Sequence, residues 1–273
     1  MSEFKNNPSV LPVKELPPDP RIKPCHPNFF APPELCICIG AVRSGKTTLI
    51  NSIFFQPRED GFFGQDYFDD VHIISNTIGN DPTARWLKKA FNVSDYYTDG
   101  QITDLIKQQD SYGEKENMPF LALVLDDILG SNMKRNNEIS YLATRFRHKN
   151  IGFMMVSVQN FKSLDTILRN NATSVIIFRQ TNNRQLEHCA EEYCSMFGSK
   201  EKFYEIYKKA VAKKFDFLYL KVYEGKALRS FEEVLWDVDV DLHGEEVSIP
   251  TDIPKSPRNP GDMEECSLKD KKK

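Results

Sequence analysis

The sequence predicts an α/β fold in which a mostly parallel sheet carries helices on both faces. The main observation is that short apolar runs, typical of buried strands, alternate along the chain with segments whose apolar residues have helical spacing. A second observation is the unit at residues 35–54, where a predicted strand is followed by a loop with two glycines and then by a helix. Strands that are buried on both faces and joined through helices are typical of parallel sheets.

Apolar runs predict the strands, and helical spacing or a helix-start signal predicts the helices. In chain order the predicted strands cover residues 35–39, 71–75, 120–125, 151–158, 174–178 and 215–222. The predicted helices cover residues 47–54, 83–91, 101–109, 137–147, 163–170, 184–196 and 200–213.

Composition divides the chain into three parts. Residues 1–33 are rich in proline, which predicts an extended arm that lies over the domain or over a neighbouring molecule. Residues 34–240 contain all predicted strands and helices and are expected to form one domain. Residues 241–273 are polar and end in a lysine-rich run, so we expect a disordered tail.

Charge and apolar content limit the possible functions. The 273 residues are 40% hydrophobic, with a net charge of −3 and a pI near 6.0. Proteins that coat nucleic acid are usually more basic, so any contact with DNA is expected through a local patch. No apolar run approaches the ~20 residues that a membrane span needs, and the first ten residues lack the apolar core of a signal peptide. We therefore expect no transmembrane segment and no secretion.

Cysteine usage indicates a reducing compartment. Cys36 and Cys38 alternate on a predicted buried strand, where they are expected to pack as small apolar side chains. His188, Cys189 and Cys194 lack the paired spacing of a zinc site, so a metal centre is not expected there.

The loop of the first strand–loop–helix unit matches a phosphate-binding pattern. Residues 40–47, GAVRSGKT, fit G-x-x-x-x-G-K-[ST] between a strand and a helix, which is the context that the pattern requires. Its two glycines are expected to adopt backbone angles closed to other residues, so that the N–H groups turn inward toward an anion. Lys46 is expected to reach the β- and γ-phosphates of ATP, and the Thr47 hydroxyl to bind Mg²⁺. The predicted nucleotide-binding residues are Gly40, Ala41, Val42, Arg43, Ser44, Gly45, Lys46, Thr47 and Thr48.

Two acids follow the third predicted strand. In open α/β sheets, ligands bind where the strands end, which places Asp126 and Asp127 near the phosphate loop. Asp126 is predicted to hold Mg²⁺, and Asp127 to orient or deprotonate the attacking water. The alternative is that both acids only cap the strand end. Residues 127–130 also match the D-x-x-G of GTPases, but the sequence contains no N-K-x-D guanine signature, which favours ATP, or low base selectivity, over a GTPase switch.

The fourth predicted strand ends at Gln159. One large class of P-loop ATPases has an additional strand between the phosphate-loop strand and the acidic strand, and a polar residue at its end senses the γ-phosphate. Gln159 fits that position, which gives a RecA-like core with the first five predicted strands in the order 5-1-4-3-2. Just before this strand, Arg147 and then Arg145 are the first candidates for an arginine that completes a neighbouring subunit's site, with Arg179 third. The alternative for each arginine is a solvated helix end.

Together these segments resemble the poxvirus-type genome-packaging ATPases of large DNA viruses, within the FtsK–HerA group. The matching residues are 39–49, 121–127, 145–160 and 169–179, and the resemblance covers residues 35–225. It implies a virus-encoded homo-oligomeric ring that drives double-stranded DNA into a preformed capsid, in the host cytoplasm and in the virion. The implied partners include capsid vertex or portal proteins. The chain departs from many relatives at Asp127, where they carry glutamate.

Two other functions remain open from the sequence. A small P-loop nucleotide kinase would need an arginine-rich lid, and no convincing lid is found. A nucleotide-gated scaffold protein of the capsid would bind ATP without turnover. For a motor, the candidate DNA-contacting pairs are residues 134–135 and 88–89, both lysine- or arginine-containing.

Overall fold

A computed structural model of the chain describes residues 19–128 and 137–239. Within these residues one sheet of nine strands has the order β3-β2-β4-β5-β1-β6-β7-β8-β9. The strands are β1 Glu34–Ile39, β2 Asp70–Ser75, β3 Asn92–Ser94, β4 Leu121–Asp126, β5 Ile151–Val158, β6 Ser174–Phe178, β7 Phe217–Lys221, β8 Lys226–Arg229 and β9 Glu233–Asp237. The helices are α1 Lys46–Phe55, α2 Arg85–Ala90, α3 Gln101–Ser111, α4 Asn137–Arg145, α5 Thr166–Asn171, α6 Asn183–Tyr193 and α7 Lys200–Ala210.

The predicted α/β class with a mostly parallel sheet is confirmed, and the sheet is wider than predicted. All pairings from β3 across to β6 are parallel, whereas β6–β7, β7–β8 and β8–β9 are antiparallel. The strand order differs from the predicted five-strand order because β3 is added at one edge and β7, β8 and β9 at the other. The segment between these additions, β2-β4-β5-β1-β6, contains the five strands that the prediction had ordered.

Every residue of β1, β4, β5 and β6 is buried. Helices α3 to α7 contribute to the apolar cluster on one face of the sheet. Helices α1 and α2 contribute to the cluster on the other face, together with many aromatic side chains. This two-sided cover explains why the strands are continuous apolar runs rather than alternating ones.

The segment at residues 19–33 packs on the domain's own sheet. Phe29 and Phe30 are buried, and the Phe30 ring centroid lies 4.8 Å from that of Phe153 on β5. The Arg21 guanidinium donates to the Met118 carbonyl oxygen, and the Lys221 ammonium donates to the Pro27 carbonyl oxygen. The rest of the predicted arm, residues 1–18, and the predicted tail from 241 onward lie outside the described residues.

Several predicted helices end earlier than their sequence pattern suggests. Helix α6 stops at Tyr193 rather than at 196. Helix α4 stops at Arg145, and Phe146–Lys149 forms a 3-10 turn that closes on Asn150 in a left-handed conformation. Helix α7 stops at Ala210 rather than at 213. No described helix is long and apolar enough to cross a membrane.

Candidate functional site

The parallel strands end at one edge of the sheet, here called the carboxyl edge. The phosphate loop and the predicted acids lie along this edge. Ser75 at the end of β2 pairs with Asp126 at the end of β4, and Asp126 pairs with Ser157 on β5. Ser157 in turn pairs with Cys38 on β1, two residues before Gly40. The strand ends that precede the phosphate loop, the two acids and Gln159 are therefore aligned at the carboxyl edge.

The glycines of the loop are required for two different reasons. Gly45 has φ 112° at the start of α1, in the left-handed region that favours glycine. Gly40 has no such φ, which corrects the expectation that both glycines adopt unusual angles. A Cβ at Gly40 would lie 2.4 Å from Ser44 Oγ and 3.1 Å from Phe178 Cδ2, so this position needs glycine for close packing. The second left-handed residue of the loop is Arg43, with φ 63°.

Lys46 is the buried cation at the centre of the site, with 7% of its side chain exposed. Its ammonium donates to the Gly40 carbonyl oxygen at 2.9 Å and to the Ala41 carbonyl oxygen at 3.4 Å. It also lies 3.4 Å from Asp127 Oδ2. The loop's own carbonyl groups and one carboxylate thus hold the charge in place, as a buried ammonium requires.

Asp127 joins the loop to the end of β5. Its Oδ2 accepts a hydrogen bond from Gln159 Nε2 at 3.2 Å, in addition to its ion pair with Lys46. Its backbone N–H donates to the Ser157 carbonyl oxygen at 3.1 Å, and its φ of 46° is left-handed, which aspartate tolerates better than most residues. The three predicted catalytic residues Lys46, Asp127 and Gln159 are therefore brought together.

Asp126 lies deeper than Asp127 and has one unused oxygen. Its Oδ2 accepts from Ser75 Oγ at 2.9 Å, whereas no described residue donates a hydrogen bond to its buried Oδ1. Ser157 Oγ is likewise buried and lies near this carboxylate without forming a hydrogen bond of standard geometry. Burial raises the pKa of Asp126. A buried carboxylate oxygen without a partner is costly, so this position fits a cation or a water bound to one.

The residues at the rim of the loop are more open. Val42, Arg43 and Thr48 are exposed, while Ala41, Ser44 and Thr47 are half-buried. Among the described residues, no group of three or more His, Cys, Asp or Glu side chains is arranged to hold a metal ion. A magnesium ion that uses Thr47 and Asp126 would therefore need further ligands from phosphate and water, which is how Mg²⁺ is usually bound.

Arg145 and Arg147 lie at the opposite, amino edge of the sheet. Arg147 lines a hollow with Glu34, the first residue of β1, and with Thr173, just before β6. Arg145 at the end of α4 stacks on Tyr141, with 4.2 Å between its guanidinium carbon and the ring centroid. Both side chains are exposed. Within one subunit neither is placed beside the phosphate loop, so a role in hydrolysis requires a neighbouring subunit.

The third arginine, Arg179, is at the carboxyl edge but is already engaged. Its guanidinium donates to the carbonyl oxygens of Val211, Ala212 and Lys213 at the end of α7. Of the candidate DNA-contacting pairs, Lys88 forms an ion pair with Asp95 at 2.9 Å, and Lys89 lies over the ring of the exposed Trp86. The pair at 134–135 lies outside the described residues.

Sequence reasoning missed three residues of this region. Ser75 and Ser157 are the polar residues among apolar neighbours at the ends of β2 and β5, and the register that joins them to Asp126 comes only from strand pairing. Phe215 was predicted as part of a strand, yet it precedes β7 and lies beside Gly45.

Comparison with known proteins gives structural matches and no sequence-family match. The sequence matches no protein-family model and no curated protein. The structure is similar to the genome packaging NTPase B204 from Sulfolobus turreted icosahedral virus 2 in complex with sulfate, with a TM-score of 0.50 and 19% identity over 71% of this chain and 94% of that chain. The complex of that protein with AMP gives a TM-score of 0.50 and 19% identity, over 71% of this chain and 95% of that chain. B204, the DNA-packaging ATPase from Sulfolobus Turreted Icosahedral Virus, gives a TM-score of 0.50 and 16% identity over 71% and 95% of the two chains.

At this identity the similarity establishes the fold. The chain has the P-loop NTPase fold of these packaging proteins, and the fold expected from the resemblance is confirmed.

Proposed function

We propose that this chain, which has a P-loop NTPase fold, is an ATP-driven motor that translocates double-stranded viral DNA into preformed capsids. The observation that carries the proposal is the meeting of Lys46 Nζ and Asp127 Oδ2 at 3.4 Å, at the carboxyl edge of the sheet. A cation in a glycine loop and a carboxylate at the end of a neighbouring buried strand are the two groups that phosphate-bond hydrolysis needs. The structural similarity to B204, a DNA-packaging ATPase, supports DNA as the substrate polymer.

The loop side of the site would bind the phosphates. The N–H groups that follow Gly40 and the start of α1 would face the β-phosphate. The Lys46 ammonium would exchange its two carbonyl partners for phosphate oxygens, whose full charge makes a stronger hydrogen bond. Thr47 and Asp126 would hold Mg²⁺, which on binding neutralises charge that develops on the phosphates.

The strand side of the site would act on water. Asp127 accepts the proton of the attacking water, and Gln159 holds the Asp127 carboxylate in position through its 3.2 Å hydrogen bond. Gln159, which follows the end of β5, would also lie next to the γ-phosphate, and its amide would change partner when that phosphate leaves. Such a change is the kind of local event that a motor converts into movement.

Hydrolysis would be completed between subunits of a homo-oligomeric ring. Arg147, or else Arg145, is exposed at the amino edge and would enter a neighbour's site, where a planar guanidinium stabilises charge on the transferred phosphate. The ring would contact the DNA backbone through local basic surface, because the whole chain carries a net charge of −3. Capsid vertex or portal proteins would be its partners, in the host cytoplasm and in the virion.

The direct test is the rate of phosphate release from ATP by the full chain, with and without long duplex DNA. The proposal predicts stimulation by duplexes of unrelated sequence, and the stimulation should weaken as salt rises because the contacts are to phosphates. Lys46→Ala is the control and should release no phosphate. Stimulation by a small phosphate acceptor instead of DNA would favour a nucleotide kinase. ATP binding without any turnover would favour a nucleotide-gated capsid scaffold.

A further inference from the structure

A cavity of about 600 Å³ opens beside the phosphate loop, on the flank away from the acids. Gly45 and Thr48 at the start of α1 line one side of it, and the rings of Phe178, Phe215 and Phe217 line the other. We propose that this cavity binds the purine base of the nucleotide and that Phe215 is its stacking platform. The inference rests on the proposed function, because it assumes that the phosphates of the same nucleotide occupy residues 40–47.

Phe215 has two properties that ordinary packing does not explain. Its side chain is 56% exposed although it is a large aromatic residue. Its φ is +73°, a left-handed conformation that is unfavourable for a bulky residue. By contrast, Phe178 and Phe217 are 2% and 6% exposed and belong to the core. Strained residues that persist in folded proteins cluster at ligand sites. The conformation of Phe215 therefore indicates a ligand site beside its ring.

The strained backbone brings the Phe215 ring to the phosphate loop. A Cβ at Gly45 would lie 3.4 Å from Phe215 Cδ1 and 3.6 Å from Phe178 Cε1. Both rings therefore border the residue at which the loop becomes helix α1. A nucleotide whose terminal phosphate lies between Lys46 and Asp127 has its base on the other flank of the loop, which is the flank of these rings.

Arg179 holds the chain that leads into Phe215. Its guanidinium donates to Val211 O at 3.1 Å, to Ala212 O at 2.9 Å and to Lys213 O at 3.2 Å. These carbonyl groups follow the end of α7, so the arginine fixes the turn that precedes Phe215. Arg179 is thus a positioning residue for the aromatic platform, which differs from the trans-acting role considered from the sequence.

The chemistry of the cavity indicates which ligand class it accepts. Aromatic faces bind any flat heteroaromatic base by stacking, and the gain is larger for a purine than for a pyrimidine because more area is covered. The opposite wall carries polar groups from Thr48 and Ser52 of α1 and from Gln56, which follows α1, and these groups would face the sugar and the base edge. A site built on stacking discriminates weakly between adenine and guanine. We therefore expect ATP and GTP to bind with similar affinity and CTP more weakly.

The test compares two ligands that share the phosphates but not the base. Titration calorimetry with the full chain measures the dissociation constants of ATP and of tripolyphosphate, for the wild type and for Phe215→Gly. Glycine accepts a φ of +73° without strain, so this variant should fold. We expect the dissociation constant of ATP to rise about 10-fold to 100-fold, in line with base–aromatic stacking, and that of tripolyphosphate to stay within about 2-fold.

Three further variants sharpen the result. Phe215→Trp keeps a stacking face and should retain ATP affinity, whereas Arg179→Ala should weaken ATP without weakening tripolyphosphate. Tyr223→Ala, which removes a 73% exposed ring at the amino edge, is the matched control and should change neither ligand.

The outcomes separate this inference from the proposed function. Wild-type protein that binds ATP no more tightly than tripolyphosphate would overturn the base site and leave the phosphate loop intact. Unchanged ATP affinity in Phe215→Gly would also overturn it, as would an equal loss of both ligands. Wild-type protein that binds neither ligand would overturn the proposed function and this inference with it.

Discussion

Lys46 Nζ lies 3.4 Å from Asp127 Oδ2, although the two residues come from different strand–loop units of the sheet. Their side chains are only 7% and 13% exposed, so solvent screens the pair weakly. Gln159 donates to the same carboxylate oxygen from a third unit. The cation proposed to bind phosphate and the carboxylate proposed to activate water are therefore parts of one hydrogen-bonded arrangement.

Replacing Lys46 with alanine should abolish ATP hydrolysis and weaken tripolyphosphate binding by at least about 10-fold, because the phosphates lose their buried counter-charge. Phosphate-release assays and calorimetry measure the two effects. Lys208→Ala removes an exposed lysine of α7 and is the control. Hydrolysis at the wild-type rate in Lys46→Ala would exclude the proposed site.

Replacing Gln159 with alanine should lower the turnover of ATP by about 10-fold to 100-fold, because Asp127 loses the donor that orients it. The dissociation constant of ATP should change by less than about 3-fold, since the Gln159 amide donates to Asp127, whereas most of the proposed phosphate contacts come from Lys46 and the loop. Gln108→Ala on the exposed face of α3 serves as the matched amide control. A large rise in the dissociation constant with normal turnover at saturation would assign Gln159 to binding instead.

Mixing two inactive variants tests the arginine that is proposed to act between subunits. Rings assembled from Arg147→Ala and Lys46→Ala subunits should recover hydrolysis, because some interfaces combine an intact loop with an intact arginine. In a random 1:1 mixture, about a quarter of all interfaces in the ring combine the two intact residues. The expected activity is therefore about a quarter of the wild-type rate. Arg145→Ala is compared in the same way. Intact rings with no recovery would remove Arg147 from this role.

Glu34 at the start of β1 predicts a specific pH dependence of stability. Burial raises the pKa of Glu34 to about 7, although its carboxylate accepts from the Ala31 N–H at 2.6 Å. Since the pKa is higher in the folded state than in the unfolded state, this residue's contribution to stability is largest below about pH 4.5 and is lost as the pH rises to 7.

Glu34→Gln should remove that dependence. Relative to wild type, its free energy of unfolding should rise by about 1–3 kcal/mol between pH 5 and pH 8. Urea denaturation at both pH values measures the change, and the exposed Glu59→Gln is the control. An equal effect of Glu34→Gln at both pH values would contradict the assigned pKa.

The sequence predicts those parts of the site that depend on local pattern. The glycine loop and the acids at the end of β4 can be located from apolar runs and residue spacing, and the shared carboxyl edge follows from parallel pairing. The sequence assigned the wrong reason to Gly40, because the 2.4 Å distance between Ser44 Oγ and a Cβ added at this position depends on the folded loop.

Features that depend on distant contacts could not be predicted. Strands β8 and β9 are short and partly exposed, and they extend the sheet beyond β7 by antiparallel pairing. Arg179 was considered as a trans-acting group because its position along β6 gives no sign of the carbonyl groups of residues 211–213 that it binds. The left-handed conformation of Phe215 likewise has no signature in its residue type.

The central claim is that Asp127 acts on water at a phosphate site built around Lys46. The most direct measurement is a comparison of ATP dissociation constants and single-turnover phosphate release for wild type and Asp127→Asn. The amide keeps the shape of the carboxylate but cannot take a proton, so binding should change by less than about 3-fold while release falls by at least about 100-fold. Normal phosphate release from Asp127→Asn would contradict the claim.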